Sequence, residues 1–230
     1  MSGPETPFVF RGCVELIESL GRKAQDEREL IDLLEQVPEG SIFYHTCGYF
    51  LGQRLFVRPY GNDFATWAVT HARDRLLGER LAIVDPFEFA SLEQLREELI
   101  SVIDDHLSRR LGVPRVDHGE PFYFMQSHVV EAPTGHRATT LAEFRAALAS
   151  VDGSAVYYHT VEARVRQGRG SGDFAEWLRT SLGLVELAGQ VQRIDVYLST
   201  LERVRAQILS LLDTALGDSA APGATPARIS

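Results

Sequence analysis

The sequence predicts a mainly α, all-α-type protein with room for one short β-strand pair. It is arranged as a tandem internal duplication of a helical unit with pseudo-two-fold packing. Three observations carry this. A motif occurs twice, as Tyr44-His45-Thr46 followed by Asn62-Asp63-Phe64-Ala65-Thr66-Trp67, and as Tyr158-His159-Thr160 followed by Gly172-Asp173-Phe174-Ala175-Glu176-Trp177. The chain has two tryptophans, and both lie in this motif. The stretches around each copy repeat apolar residues at helical spacing.

Taken in order, residues 1–7 read as a loose N-terminus. Phe8-Val9-Phe10 reads as a short strand. Leu30, Leu33, Leu34 and Val37 fall at i, i+3, i+4 and i+7 and predict a helix over 24–37, with Asp26 and Glu29 as an acidic relative of the capping box. Pro38 and Gly40 end it, and Ser41 is the candidate N-cap of the next helix. That helix puts Ile42, His45, Thr46, Tyr49 and Phe50 on one face. A loop holding Arg54 and Arg58 follows. Asn62 caps a third helix, with Asp63 in its first turn, where a negative charge suits the dipole. Leu77, Leu81 and Val84 carry a fourth. Ser91 to Gln94 is a capping box that opens a long amphipathic helix from Leu92 to Leu107.

Gly112, Pro114, Gly119 and Pro121 mark a linker over 111–121, so the first unit spans 8–110 and the second 122–216. Phe122-Tyr123-Phe124 echoes Phe8-Val9-Phe10. His45 and His159 stand 114 positions apart, as do Leu30 and Phe144. Past the loop the spacing becomes 110 at Trp67 and Trp177, then 109 at Leu92 and Leu201. Spacing that changes only in loops is what repeated units give. The second unit closes on a helix from Leu201 to Leu212. Residues 217–230, rich in Ala, Pro, Gly and Ser, read as a disordered tail.

Composition narrows the function classes. The 230 residues carry a net charge of -9, which repels a phosphate backbone, so no nucleic acid is expected as a partner. No stretch approaches the roughly 18 apolar residues of a membrane span, and residues 1–6 have no signal-peptide pattern. The expected location is cytoplasmic, with no membrane partner. Cys13 and Cys47 form no Cys-x-x-Cys and read as buried or half-buried thiols.

At Phe10-Arg11, Gly21-Arg22-Lys23-Ala24, Ile42-Phe43-Tyr44-His45-Thr46 and the Asn62–Trp67 motif, the chain resembles an uncharacterised prokaryotic family, domain of unknown function 5752. That resemblance covers most of the chain. The family often carries a second histidine two places after the first, where this chain has Cys47 and, in the second copy, Val161. The family has no established activity, so the resemblance implies a motif and no mechanism.

The candidate site residues are the motif itself: Tyr44, His45, Thr46, Asn62, Asp63, Phe64 and Trp67, with Tyr158, His159, Thr160, Asp173, Phe174 and Trp177. An imidazole on a buried face needs a hydrogen-bond partner, which Asp63 or Asp173 can supply. One reading makes His45/Asp63 and His159/Asp173 catalytic or metal-holding pairs that converge between the units. The other makes each pair a joint between two helices, closed over by Phe and Trp. No His-Glu-x-x-His or His-x-His occurs, so no metal and no cofactor are expected. Gly168 to Gly172 lacks the Lys-Ser/Thr of a phosphate loop, Ser154 lies in no nucleophile elbow, and Arg54, Arg58, Arg164, Arg166 and Arg169 suggest a basic side, read either as an anion site or as a solvated rim. The sequence therefore favours a non-enzymatic binding or interaction module, regulatory in character, over an enzyme or metal-binding protein. Its expected partner is a protein or a second copy, and its ligand is unnamed. The copies differ at Asn62/Gly172, Cys47/Val161 and His71/Ser181, which directs attention to the first.

Overall fold

The structure, a computed structural model, describes residues 6–48, 60–109, 119–168, 170–197 and 199–220. The expected sites Tyr49, Phe50, Arg54, Arg58 and Arg169, most of the linker, and the tail from 221 lie outside the described residues.

Two long strands, β1 (Phe8–Ala24) and β2 (Phe122–Ala138), pair antiparallel. Helices flank them in the order α1 (Glu27–Leu34), α2 (Glu39–Cys47), α3 (Asp63–Thr70), α4 (Arg75–Ala82) and α5 (Leu92–Ser108). After β2 come α6 (Leu141–Ser150), α7 (Gly153–Tyr157), a π-helix (Tyr158–Arg166), α8 (Asp173–Thr180), α9 (Val185–Gln192) and α10 (Leu201–Ala220).

This corrects the mainly α, all-α expectation, and with it the tandem duplication of a helical unit. The protein mixes helices with a sheet of two 17-residue strands. Three residues of each strand were legible because only the ends alternate buried and exposed. From Val14 to Lys23 nearly every side chain of β1 is exposed or half-buried, so no period of two appears in the sequence. Two helix boundaries also move. Pro38, not Ser41, precedes α2, and Ser41 is buried inside it. A residue without an N–H fits there because the first helical amides have no intrahelical partner. The helix α10 runs to Ala220, past the expected boundary at 217.

The register centres on Glu15 opposite Val129. Toward each end one strand bulges by two residues. Thr134-Gly135-His136 stands opposite Phe10, and Leu20-Gly21-Arg22 stands opposite Phe124. Gly21 and Gly135 adopt φ of 65° and 78°, a left-handed conformation that favours glycine and is the usual device of a bulge. The hydroxyl of Thr134 donates to the Phe10 carbonyl at 2.6 Å across one bulge. Each bulge bends the ribbon so that the single residue opposite it, Phe10 or Phe124, points into the helices, and both are fully buried.

The strands exchange partners. Phe8 and Phe10 of β1 pack on Phe144 of α6 and Phe174 of α8, with ring centroids between 5.1 and 6.1 Å apart. Phe122 and Phe124 of β2 pack on the other side, where Phe122 stacks on Phe64 of α3 at 4.9 Å. The helices α1, α2 and α4 pack on α5, and α6, α7 and α9 pack on α10. Two helical units docked face to face are therefore not what the chain builds. Each helical group takes its aromatic floor from the strand at the start of the other half.

Under the middle of the ribbon lies a buried polar cluster. Glu162 of the π-helix is almost fully buried, one carboxylate oxygen is 3.4 Å from Arg166 Nε, and the other has no hydrogen-bond partner among the described residues. The Tyr157 hydroxyl is buried and also has no partner among the described residues. Arg166 donates to Ser127 at 3.1 Å and lies 4.1 Å over the Phe43 ring. Loss of hydration pushes the Glu162 carboxyl up, against a smaller downward pull from Arg166. Cys13 and Cys47 are buried beside this cluster, and loss of hydration pushes both thiols up to about 12.

Two expectations follow from this cluster. A thiol needs its thiolate to react, so in the native protein neither cysteine should alkylate at mildly alkaline pH, while both should react in denaturant. Mass spectrometry after iodoacetamide treatment checks this. For Glu162 the folded-state value is raised. Its contribution to stability is therefore present below the ordinary value near 4.5 and is lost as pH rises through the raised one. The melting temperature of Glu162→Gln relative to the native chain should climb as pH rises through that window. Parallel melting curves would reject the assignment.

Candidate functional site

The first histidine is set by three elements. The helix α2 carries His45 inward, where it is 3% exposed. Asn62 caps α3 by accepting from the Ala65 N–H at 2.8 Å and anchors it by donating to the Leu81 carbonyl at 2.8 Å. Asp63, first residue of α3, then places Oδ2 3.0 Å from His45 Nδ1. On the other side of the ring the Met125 N–H of β2 donates to Nε2 at 3.0 Å. A backbone amide can only donate, so Nε2 must be bare and the hydrogen must sit on Nδ1, facing Asp63. The ring is neutral and its tautomer is fixed. Phe122 at 4.6 Å, Tyr44 at 4.9 Å and Phe64 at 5.5 Å wall it in.

The second histidine repeats the geometry on the exchanged strand. His159 sits in the π-helix, 3% exposed, with Nδ1 2.8 Å from Asp173 Oδ2. Its Nε2 accepts the Arg11 N–H of β1 at 2.9 Å. Gly172 holds the N-cap position of α8 and makes no side-chain bond there, unlike Asn62. Both indoles are satisfied by main chain just before a strand: Trp67 Nε1 donates to the Glu120 carbonyl at 2.9 Å, and Trp177 Nε1 to the Thr6 carbonyl at 2.8 Å. Thr46 and Thr160 donate to the carbonyls of Ile42 and Val156, one turn earlier. The Tyr158 hydroxyl bonds to Glu131, and His71 Nδ1 accepts the Glu120 N–H at 3.0 Å.

The two pairs do not meet. His159 grips the ribbon at Arg11, and His45 grips it at Met125, opposite Ser19. Eight residues of strand separate these points, about 26 Å. A shared centre built from His45, Asp63, His159 and Asp173 is therefore ruled out by distance. A cavity beside His159 holds about 20 Å³, room for one water. Among the described residues no group of three or more His, Cys, Asp or Glu is placed to hold a metal ion. The expected basic rim is also built differently. Arg164 lies 5.0 Å over Phe87 and Arg166 over Phe43, both half-buried against rings.

A third pair escaped the sequence reading. Asp74 Oδ2 and His106 Nε2 are 2.7 Å apart, each residue 5% exposed. Asp74 Oδ1 also caps α4 by accepting the Leu77 N–H at 3.0 Å. His106 sits in the last turn of α5, on the same face as Leu99 and Ile103. Only the N-cap position of Asp74, three before Leu77, and a polar break in that apolar stripe signalled it. Unlike the other two, this pair borders an open cleft of about 400 Å³, lined by Leu76, Arg80 and Arg109.

With this geometry in place, comparison with known proteins identifies the lineage. No curated protein matches the chain. The solved structure of OrfY from Thermoproteus tenax is similar, at 30% identity and a TM-score of 0.81, covering 94% of this chain and 97% of that one. A family model described as a family of unknown function, DUF5752, matches residues 5–213, so the chain belongs to that family.

Proposed function

We propose that the protein is a non-enzymatic binding or interaction module in which the His45/Asp63 and His159/Asp173 pairs are joints of the framework. One observation carries this reading: both ring nitrogens of both histidines are already bonded, one to a carboxylate and one to a strand amide. A general base needs a free lone pair within reach of a substrate proton, and a metal ligand needs the same lone pair. Here that lone pair receives a backbone N–H. Freeing it would detach the strand. Exposed Val14, Leu16 and Val130 at the middle of the ribbon add support, since apolar area of this kind is removed from water by association.

Nitrogen-15 spectra at neutral pH should show the neutral Nδ1–H tautomer for His45 and His159. Replacing His45 or His159 by Gln keeps an acceptor near the strand amide and abandons the aspartate, while Asn does the reverse. Either change should cost about 2 kcal/mol or more, read as a lower melting temperature, because a buried partner is left unsatisfied. Elemental analysis of untagged protein completes the test. A variant that keeps native stability while losing stoichiometric metal would overturn the proposal.

A further inference from the structure

The Asp74–His106 pair differs from the other two in what it leaves over. Facing a carboxylate, His106 Nε2 carries its hydrogen, and Nδ1 has no hydrogen-bond partner among the described residues. The residue lines the cleft of about 400 Å³. Two guanidinium groups stand at the same opening. Arg80 Nη2 donates to Asp105 Oδ2 at 2.6 Å, and Arg109 Nη2 donates to Asp105 Oδ1 at 2.9 Å. Asp105 thus yokes the two forks side by side while using one nitrogen of each. The remaining donors of both are uncommitted in the described hydrogen bonds, and Arg109 is 74% exposed.

We propose that this cleft binds a small oxyanion, a carboxylate or a phosphate, held by the uncommitted donors of Arg80 and Arg109, while the bare His106 Nδ1 can accept only from an O–H such as a hydrogen phosphate carries. Arginine forks match the geometry of such oxygens, two at a time. Among the described residues, Asp74 lines the cleft and Asp105 bonds both arginines. Each is matched by a base already, Asp105 by the two arginines and Asp74 by His106, so the arginines outnumber the carboxylate they share. Two arginines converging in a chain of net charge -9 are no consequence of composition. The proposal is independent of the role given to His45 and His159.

The test is a titration of the full chain with sodium phosphate and, separately, sodium acetate, at ionic strength held constant with chloride. The His106 ring signals report it, assigned by difference with His106→Asn. A saturable shift is expected for at least one of the two anions and none for chloride. Response to phosphate alone identifies a phosphate site, and response to acetate as well identifies a carboxylate-tolerant one. The Arg80→Gln/Arg109→Gln variant changes surface side chains without removing core, and should weaken binding about tenfold or more through two lost charge-assisted bonds. No saturable shift with either anion overturns the proposal. So does a shift of unchanged affinity in the double variant.

Discussion

In a two-stranded sheet both strands are edges, and each has a side whose amides meet no partner strand. Where that side faces solvent, water satisfies it. Where it faces packed helices, every N–H needs a protein acceptor, since a buried amide left alone costs about as much as a lost hydrogen bond. This chain meets that demand at Arg11 and Met125 with imidazole nitrogens from the helices themselves. Histidine suits the task because a neutral ring accepts at one edge and donates at the other. The donating edge is turned to an aspartate at the start of the next helix, where a carboxylate also favours the helix dipole. One side chain thereby ties strand, helix and following helix together.

Around each of these rings the aromatic residues of three elements meet. Phe8 touches Phe144, Phe174, Trp177 and His159, and Phe122 touches Phe64, Trp67 and His45. The apolar packing supplies most of the stabilisation, while the imidazole fixes which strand residue sits where. A slip of one residue would turn Phe10 or Phe124 outward and move an amide away from its acceptor. Packing and hydrogen bonding therefore select the same register.

How much of this could be read from residues alone varied with burial. Helices with one apolar stripe, such as α1 and α5, announce themselves, as do the side-chain caps at Asn62, Ser91 and Thr140. The pairing of His45 with Asp63 follows from a buried imidazole beside a helix start. The ribbon did not announce itself, because its middle is wet on most positions and a strand exposed in this way has no period. Nor did the exchange of strands between halves, since the sequence fixes which residues are apolar and not which apolar neighbours they reach. The Asp74–His106 pair joins residues 32 positions apart on separate helices, a distance at which no local pattern survives.

The exchange of strands also shapes how the chain reaches this state. Phe8 and Phe10 leave the ribosome first, but the rings they pack against, Phe144, Phe174 and Trp177, are made more than a hundred residues later. At ordinary rates of elongation the gap is on the order of ten seconds. During that time the aromatic strand has no native rings to pack against. The first half cannot finish its own core either, because Phe122 and Phe124 are still to come. Folding thereby waits until both halves have been made and is paced by long-range contacts, which close slowly.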